Sequence, residues 1–136
     1  MLKLEIITPE KIAYTDDVDM VMVPSAWGRV GILPRHIPLF AQLVEGELKI
    51  KKGSEDIYLS IGGGFVEVTK TKVVVLVTRA THYKELNETE IAKAKLQASE
   101  ALKNKPSGQD LRVAQALLRQ SIVDLRILTR RKNKIH

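Results

Sequence analysis

LNETEIAKAK, residues 86–95, is where the chain changes its periodicity, and the fold class turns on it. Asn87 is placed to cap the free N–H groups of a helix start, with Glu90 at the third helical position and Glu88 adding negative charge to the first turn. Ile91, Ala94, Ala98 and Ala101 then recur at helical spacing. The segment NKPSGQD (104–110) interrupts that pattern, and Ser107 with Asp110 repeats the capping arrangement ahead of a second helix. There Leu111, Ala114, Leu118, Ser121, Leu125 and Leu128 alternate three- and four-residue steps, a seam for a partner helix. The two segments predict an antiparallel helical hairpin. Its facing stripes are rich in Ala and Ser, which bury little area each at ~25 cal/mol per Å2. Such a hairpin is expected to lean on another surface and to detach for a modest gain elsewhere.

Before residue 86 the period is two. LKLEII puts Leu2, Leu4 and Ile6 on one face, VDMVMV does so with Val18, Met20 and Met22, and DIYLSI with Ile57, Leu59 and Ile61. Turn chemistry separates these runs at Thr8-Pro9, at 15–17, at KKGSED (51–56) and at TKTK (69–72). KVVVLVTR (72–79) lacks alternation and reads as a strand buried on both faces. The glycine run GGGF (62–65) lacks the Lys-Ser/Thr of a phosphate loop and precedes a strand, so it reads as a bulge or a close backbone approach. Many short strands with close breaks indicate an antiparallel sandwich. The expected fold class is therefore α+β: an N-terminal antiparallel β-sandwich, or flattened barrel, over 1–85, followed by a C-terminal antiparallel two-helix hairpin over 86–136.

The composition narrows the chemistry. With 136 residues, 44% hydrophobic and 28% charged, the chain suits one core plus a small appendage. No apolar run approaches the ~20 residues of a spanning helix, no secretory leader is expected at the start, and the absence of cysteine excludes disulfides and thiolate metal sites. Lysine plus arginine and aspartate plus glutamate balance at 11 each over residues 1–85, whereas residues 86–136 hold 11 against 5. The excess sits in Arg119, Arg126, Arg130, Arg131, Lys132 and Lys134, a basic terminus suited to an acidic partner or, more simply, a solvated helix end. The three histidines, His36, His82 and His136, form no metal-ligand pair, and His36 has no nucleophile or carboxylate in its own loop, so neither a catalytic residue nor a metal site is expected. One Trp, three Tyr and two Phe provide no stacking platform for single strands. Trp27, the one large aromatic beside GRVGILPRHIPLF (28–40), reads as packing or, if exposed, as an interface anchor.

Four blocks carry a family resemblance: TPEKIAY (8–14), GRVGILPRHIPL (28–39) matching G-x-x-G-I-L-P-x-H-x-P-L, GGFVEV (63–68) and IVDLRIL (122–128). In these the chain resembles the epsilon subunit of bacterial and chloroplast F-type rotary ATP synthases. The resemblance implies a non-catalytic rotor subunit whose sandwich binds the gamma subunit and stands on the ring of c subunits. Trp27, Gly28, Arg29, Gly31 and His36 would then belong to that interface, with Arg29 standing where relatives often carry an acid. It further implies that the hairpin obstructs ATP hydrolysis when extended into the ring of alpha and beta subunits, with Arg119, Arg126, Arg130 and Arg131 meeting an acidic segment of beta. Some relatives bind ATP through I/L-D-x-x-R-A. Here Glu90 and Lys93 hold the acidic and basic positions, and because an amine does not replace a planar guanidinium, no cofactor and no ATP binding are expected. The implied location is the cytoplasmic face of the bacterial plasma membrane, held there through the complex. Two rivals remain at this stage: a nucleic-acid module using the basic helix, and a small enzyme with loop carboxylates converging on His36.

Overall fold

The computed structural model describes residues 1–134, with side chains described through Arg131; Lys132, Lys134 and His136, named above, lie outside the described side chains. The chain divides between His82 and Tyr83 into two compact units, three residues before the expected boundary.

The first unit holds ten strands: β1 (Leu2–Ile7), β2 (Ile12–Val18), β3 (Met20–Ser25), β4 (Gly28–Ile32), β5 (Leu39–Leu43), β6 (Gly46–Lys52), β7 (Glu55–Ile61), β8 (Gly64–Val68), β9 (Lys72–Val77) and β10 (Ala80–His82). They hydrogen-bond in the order β10-β7-β6-β3-β5-β8-β9-β1-β2, with β4 on the other edge of β3. This is a nearly closed β-sandwich. Strand β3 makes the corner, pairing with β6 along Met20 to Met22 and with β5 at Ser25. All pairs are antiparallel except one, since β1 runs parallel to β9. Leu2, Leu4, Ile6, Val21, Val23, Leu48, Ile50, Val66, Val73 and Val75 fill the interior. Fully burying each such side chain contributes about 1.5–3 kcal/mol. A core of this kind sustains the unit by itself.

Two strand expectations are corrected. VDMVMV is not one strand: β2 ends at Val18 and β3 starts at Met20, so Val18, Val21 and Val23 are buried while Met20 and Met22 are half-exposed. The parity resets at Asp19, whose N–H donates to the Lys51 carbonyl at 2.8 Å and whose carboxylate accepts the Gly53 N–H at 2.7 Å. Strand β9 is not buried on both faces either. Val73, Val75 and Val77 point inward, whereas Leu76 is 48% exposed. The apolar run reflects two separate demands, a core on one side and an exposed apolar row on the other.

The glycine run behaves as read. A Cβ on Gly64 would lie 1.9 Å from the Leu76 carbonyl oxygen, so β8 and β9 approach only because that atom is missing. Gly64→Ala is expected to lower stability by about 3 kcal/mol or to push β8 off β9, measured as the midpoint of urea unfolding.

The second unit opens with a single 3-10 turn (Tyr83–Glu85), followed by α1 (Glu88–Lys103) and α2 (Gly108–Lys134) packed on one another. The Asn87 side chain accepts the Glu90 N–H at 3.0 Å, the cap expected from its position. The most buried side chains are Ala98, Ala114, Ser121, Asp124, Ile127 and Arg131, while Leu111, Leu118, Leu125 and Leu128 are half-buried. Two charged residues among the buried set were not anticipated by the apolar seam. No helix is long and apolar enough to cross a membrane among the described residues.

One surface ion pair links β2 to β6. The Lys52 ammonium bonds the Asp16 carboxylate, holding Asp16 below the usual carboxylate value, chiefly through that hydrogen bond, and raising Lys52. A depressed acid contributes stability above its unfolded value and loses it as pH falls through the folded one. A raised lysine contributes below its unfolded value and loses it as pH rises through the folded one. Thermal melts of Asp16→Asn are therefore expected to lose less stability than the wild type on acidification below the ordinary range of aspartate.

Candidate functional site

The stretch 28–40 divides into three parts. Gly28 to Ile32 form β4, residues 33–38 form a loop, and Leu39 and Phe40 begin β5. Trp27 and His36 consequently lie beyond opposite ends of β4, roughly 16 Å of strand apart at ~3.3 Å per residue. The expected interface set is not a single loop.

Trp27 is at the tip of the β3–β4 turn and 92% exposed. The buried Ser25 hydroxyl fixes this turn, donating to the Gly28 carbonyl and accepting the Trp27 N–H at 3.2 Å. Gly28, at φ 118°, has a backbone that other residues rarely adopt. Arg29 does not project freely: its guanidinium donates to the Met22 sulfur and to the Glu47 carbonyl, each at 3.3 Å. Gly31 stands opposite Met22, with open space where a Cβ would be. At the far end the His36 N–H donates to the Leu33 carbonyl at 3.1 Å, and the His36 Nδ1 lies 2.7 Å from the Ile37 carbonyl. These contacts give His36 a structural role in closing its own loop. No cluster of potential metal ligands occurs among the described residues.

A further surface, not identified from sequence, crosses the outer face of five strands. Phe65 on β8 pairs with Leu76 on β9, Leu76 with Ile7 on β1, and Ile7 with Ile12 on β2. Phe40 on β5 stacks on Phe65 with ring centroids 5.4 Å apart. Phe40, Phe65, Leu76 and Ile12 are all exposed. Beside this row lies a groove of about 380 Å3, lined by Ile7, Thr8, Pro9, Gly63, Gly64 and Leu76 among others. The Ala26 N–H donates to the Gln42 carbonyl, which holds the base of the Trp27 turn beside β5. Scattered exposed apolar residues are ordinary, but a continuous row is a mark of docking. The unbroken VVVLV run was its one sequence signal, because the outward Leu76 breaks the polar half of the alternation.

On α2, Arg119, Arg126 and Arg130 are exposed and Arg131 is buried. At ~100° per residue the first three share one helical stripe, and Arg131 lies about a third of a turn away. Arg112, also exposed, continues the stripe one heptad earlier. It was missed although the spacing 112, 119, 126 was in plain sight. Glu90 and Lys93 are exposed on the first turns of α1, where the Glu90 backbone N–H donates to the capping Asn87 side chain.

A sandwich with its own core and an exposed apolar row, followed by a small-residue hairpin with an arginine stripe, has the surfaces of a docking subunit. Comparison with known proteins agrees. The family model described as ATP synthase, Delta/Epsilon chain, beta-sandwich domain matches residues 1–83. The ATP synthase epsilon chain of Herpetosiphon aurantiacus is 41% identical over 133 residues, covering 98% of each chain, and that of Chloroflexus aggregans is 39% identical over 133 residues, covering 98% of this chain and 96% of its own. Among solved structures, a chain of the Euglena gracilis mitochondrial ATP synthase OSCP/F1/c-ring superposes with a TM-score of 0.69 at 21% identity, over 99% of this chain and 81% of that one. A chain of the Tetrahymena thermophila mitochondrial ATP synthase central stalk/c-ring gives a TM-score of 0.54 at 22% identity, over 62% and 68%. The chain belongs to the ATP synthase epsilon chain family, whose members are non-catalytic stalk subunits.

Ser25→Ala is expected to destabilise the sandwich by about 1 kcal/mol, through the two bonds it removes, and to raise the mobility of the Trp27 indole, read as a lower fluorescence anisotropy.

Proposed function

We propose that this chain is a rotor subunit of a proton-translocating F-type ATP synthase at the cytoplasmic face of the bacterial plasma membrane. The sandwich attaches the gamma subunit through the apolar row and stands on the c-ring. The hairpin restrains ATP hydrolysis by meeting an acidic segment of the beta subunit within the ring of alpha and beta subunits. The chain touches neither nucleic acid nor lipid directly and takes no cofactor.

The observation that carries this reading is the row of Phe40, Phe65, Leu76 and Ile12 on the outer face of a unit that already has a complete core. A surface of that kind is stable in water only at a cost, and covering it with a partner removes the cost. The hairpin's part rests on the cationic stripe of Arg112, Arg119, Arg126 and Arg130 along a helix whose most buried positions include Ala114 and Ser121. Guanidinium groups at that spacing suit carboxylates on a facing helix or strand. Glu90 and Lys93 lack the planar fork of a nucleotide clamp, consistent with no ATP site.

The test is ATP hydrolysis by the matching alpha, beta and gamma subcomplex, alone, with the full chain and with a version ending at Glu85. The full chain is expected to inhibit, and the short one to bind without inhibiting. Replacing Arg112, Arg119 and Arg126 by alanine is expected to relieve most of the inhibition and leave gamma binding unchanged. Arg131 is left intact because its burial would confound folding with contact. Inhibition that persists in the triple variant overturns the role of the stripe.

A further inference from the structure

Met22 carries a sulfur that a cation holds. The Arg29 Nε–H donates to its Sδ at 3.3 Å, a second guanidinium N–H is tied to the Glu47 carbonyl, and the remaining donors of the fork have no partner among the described residues. A thioether is a weak acceptor, so a guanidinium aimed at one is poorly matched. An oxygen on that sulfur would match it far better, because a charged donor forms its strong hydrogen bonds with oxygen acceptors.

The sulfur is also approachable. Met20 and Met22 share the outer face of β3, and both are half-exposed. Opposite Met22 on β4 stands Gly31, and nothing lies within 4 Å of where its Cβ would be, so no side chain shields that flank. The neighbour on the other side is Lys49 of β6, whose ammonium turns to Asp56 at 3.9 Å and to the Tyr58 ring. Met20 stands opposite Lys51, and no donor reaches its sulfur among the described residues. It is an internal control, with the same strand, face and degree of exposure but no guanidinium. Both side chains point away from the aliphatic interior, so an oxygen added to either leaves the core filled as before.

We propose that Met22 is a site of reversible oxidation by hydroperoxides and that Arg29 directs the reaction to it. The second lone pair of the sulfur attacks one oxygen of hydrogen peroxide. The S–O bond forms as the O–O bond breaks, and the departing hydroxide takes the proton of the transferred hydroxyl to leave as water. The sulfur gives up two electrons and the peroxide gains them. The free N–H groups of Arg29 stabilise the negative charge that develops on the departing oxygen and then hold the sulfoxide oxygen, with the guanidinium protonated throughout. Methionine sulfoxide reductases reverse the step, drawing two electrons from a thiol pair and releasing the oxygen as water. The outer face of β3 and β4, beside the Trp27 turn, thereby becomes responsive to peroxide.

The experiment treats the purified full chain with hydrogen peroxide at neutral pH, quenches aliquots with catalase, and locates each added oxygen by fragmenting the peptides in a mass spectrometer. Met22 is expected to gain oxygen about three- to tenfold faster than Met20, the effect of one modest hydrogen bond on a transition state. Arg29→Ala is expected to bring Met22 down to the rate of Met20, which itself does not change. Removing the long side chain uncovers the sulfur, so a slower reaction in this variant cannot come from access. Gly31→Val closes the open flank and is expected to slow Met22 alone. Circular dichroism establishes that each variant is folded before peroxide is added. Incubation with the two reductases, one for each sulfoxide epimer, and dithiothreitol should return Met22 to the thioether. Equal rates at Met22 and Met20 in the wild type overturn the inference, as does a Met22 rate that either variant leaves unchanged or raises. A sulfoxide that the reductases fail to remove overturns its reversibility.

Discussion

The pairing of strand β3 is the constraint on which the sandwich depends. Its first half takes β6 as a neighbour and its last residue takes β5, while β4 occupies the other edge. A strand that takes two partners in succession along one edge cannot keep both in one flat sheet. The ladder therefore turns at β3, and the inward residues of both layers, Val21 and Val23 among them, meet in one interior. The Trp27 turn, the fixed Arg29 and the loop around Arg35 all hang from β3 through β4. Their separation along β4 follows from the corner.

The two units differ in how they are stabilised. The sandwich is filled with branched aliphatic side chains of negligible exposure, whereas the deepest positions of the hairpin are Ala98, Ala114, Ser121, Asp124, Ile127 and Arg131. Small and charged residues at the centre of a two-helix unit give little hydrophobic stabilisation per residue. An attachment module benefits from the first kind of interior, because it must keep its shape while a partner is bound. The restraining role proposed for the hairpin fits the second, because arrangements that lie close in free energy are switched by modest differences in contact.

Division of labour also appears within single strands. Strand β9 sends Val73, Val75 and Val77 into the core and Leu76 to the outer row, and β8 does the same with Val66 and Val68 against Phe65. Alternation marks a half-buried strand only when the outer face is polar. Where the outer face is itself a docking surface, the pattern blurs into a run that imitates full burial. That is why the row escaped the sequence reading while the strands did not. The parallel contact of β1 with β9 was equally out of reach, since nothing local in either strand specifies a partner 69 positions away.

The sequence by itself determined the division into a strand-rich part and a helical hairpin, the Asn87 cap, the close approach at the glycine run and the family. Each of these rests on spacing within a few turns or a single strand, or on motif residues that stand together in the chain. Only the tertiary structure decided that 28–40 is a strand, a loop and a strand end, that Arg29 is tied to a carbonyl on β6 while Arg35 is not, and that five outward side chains from five strands form one row. Those facts depend on register between distant segments and on backbone dihedrals at single residues, which periodicity does not encode.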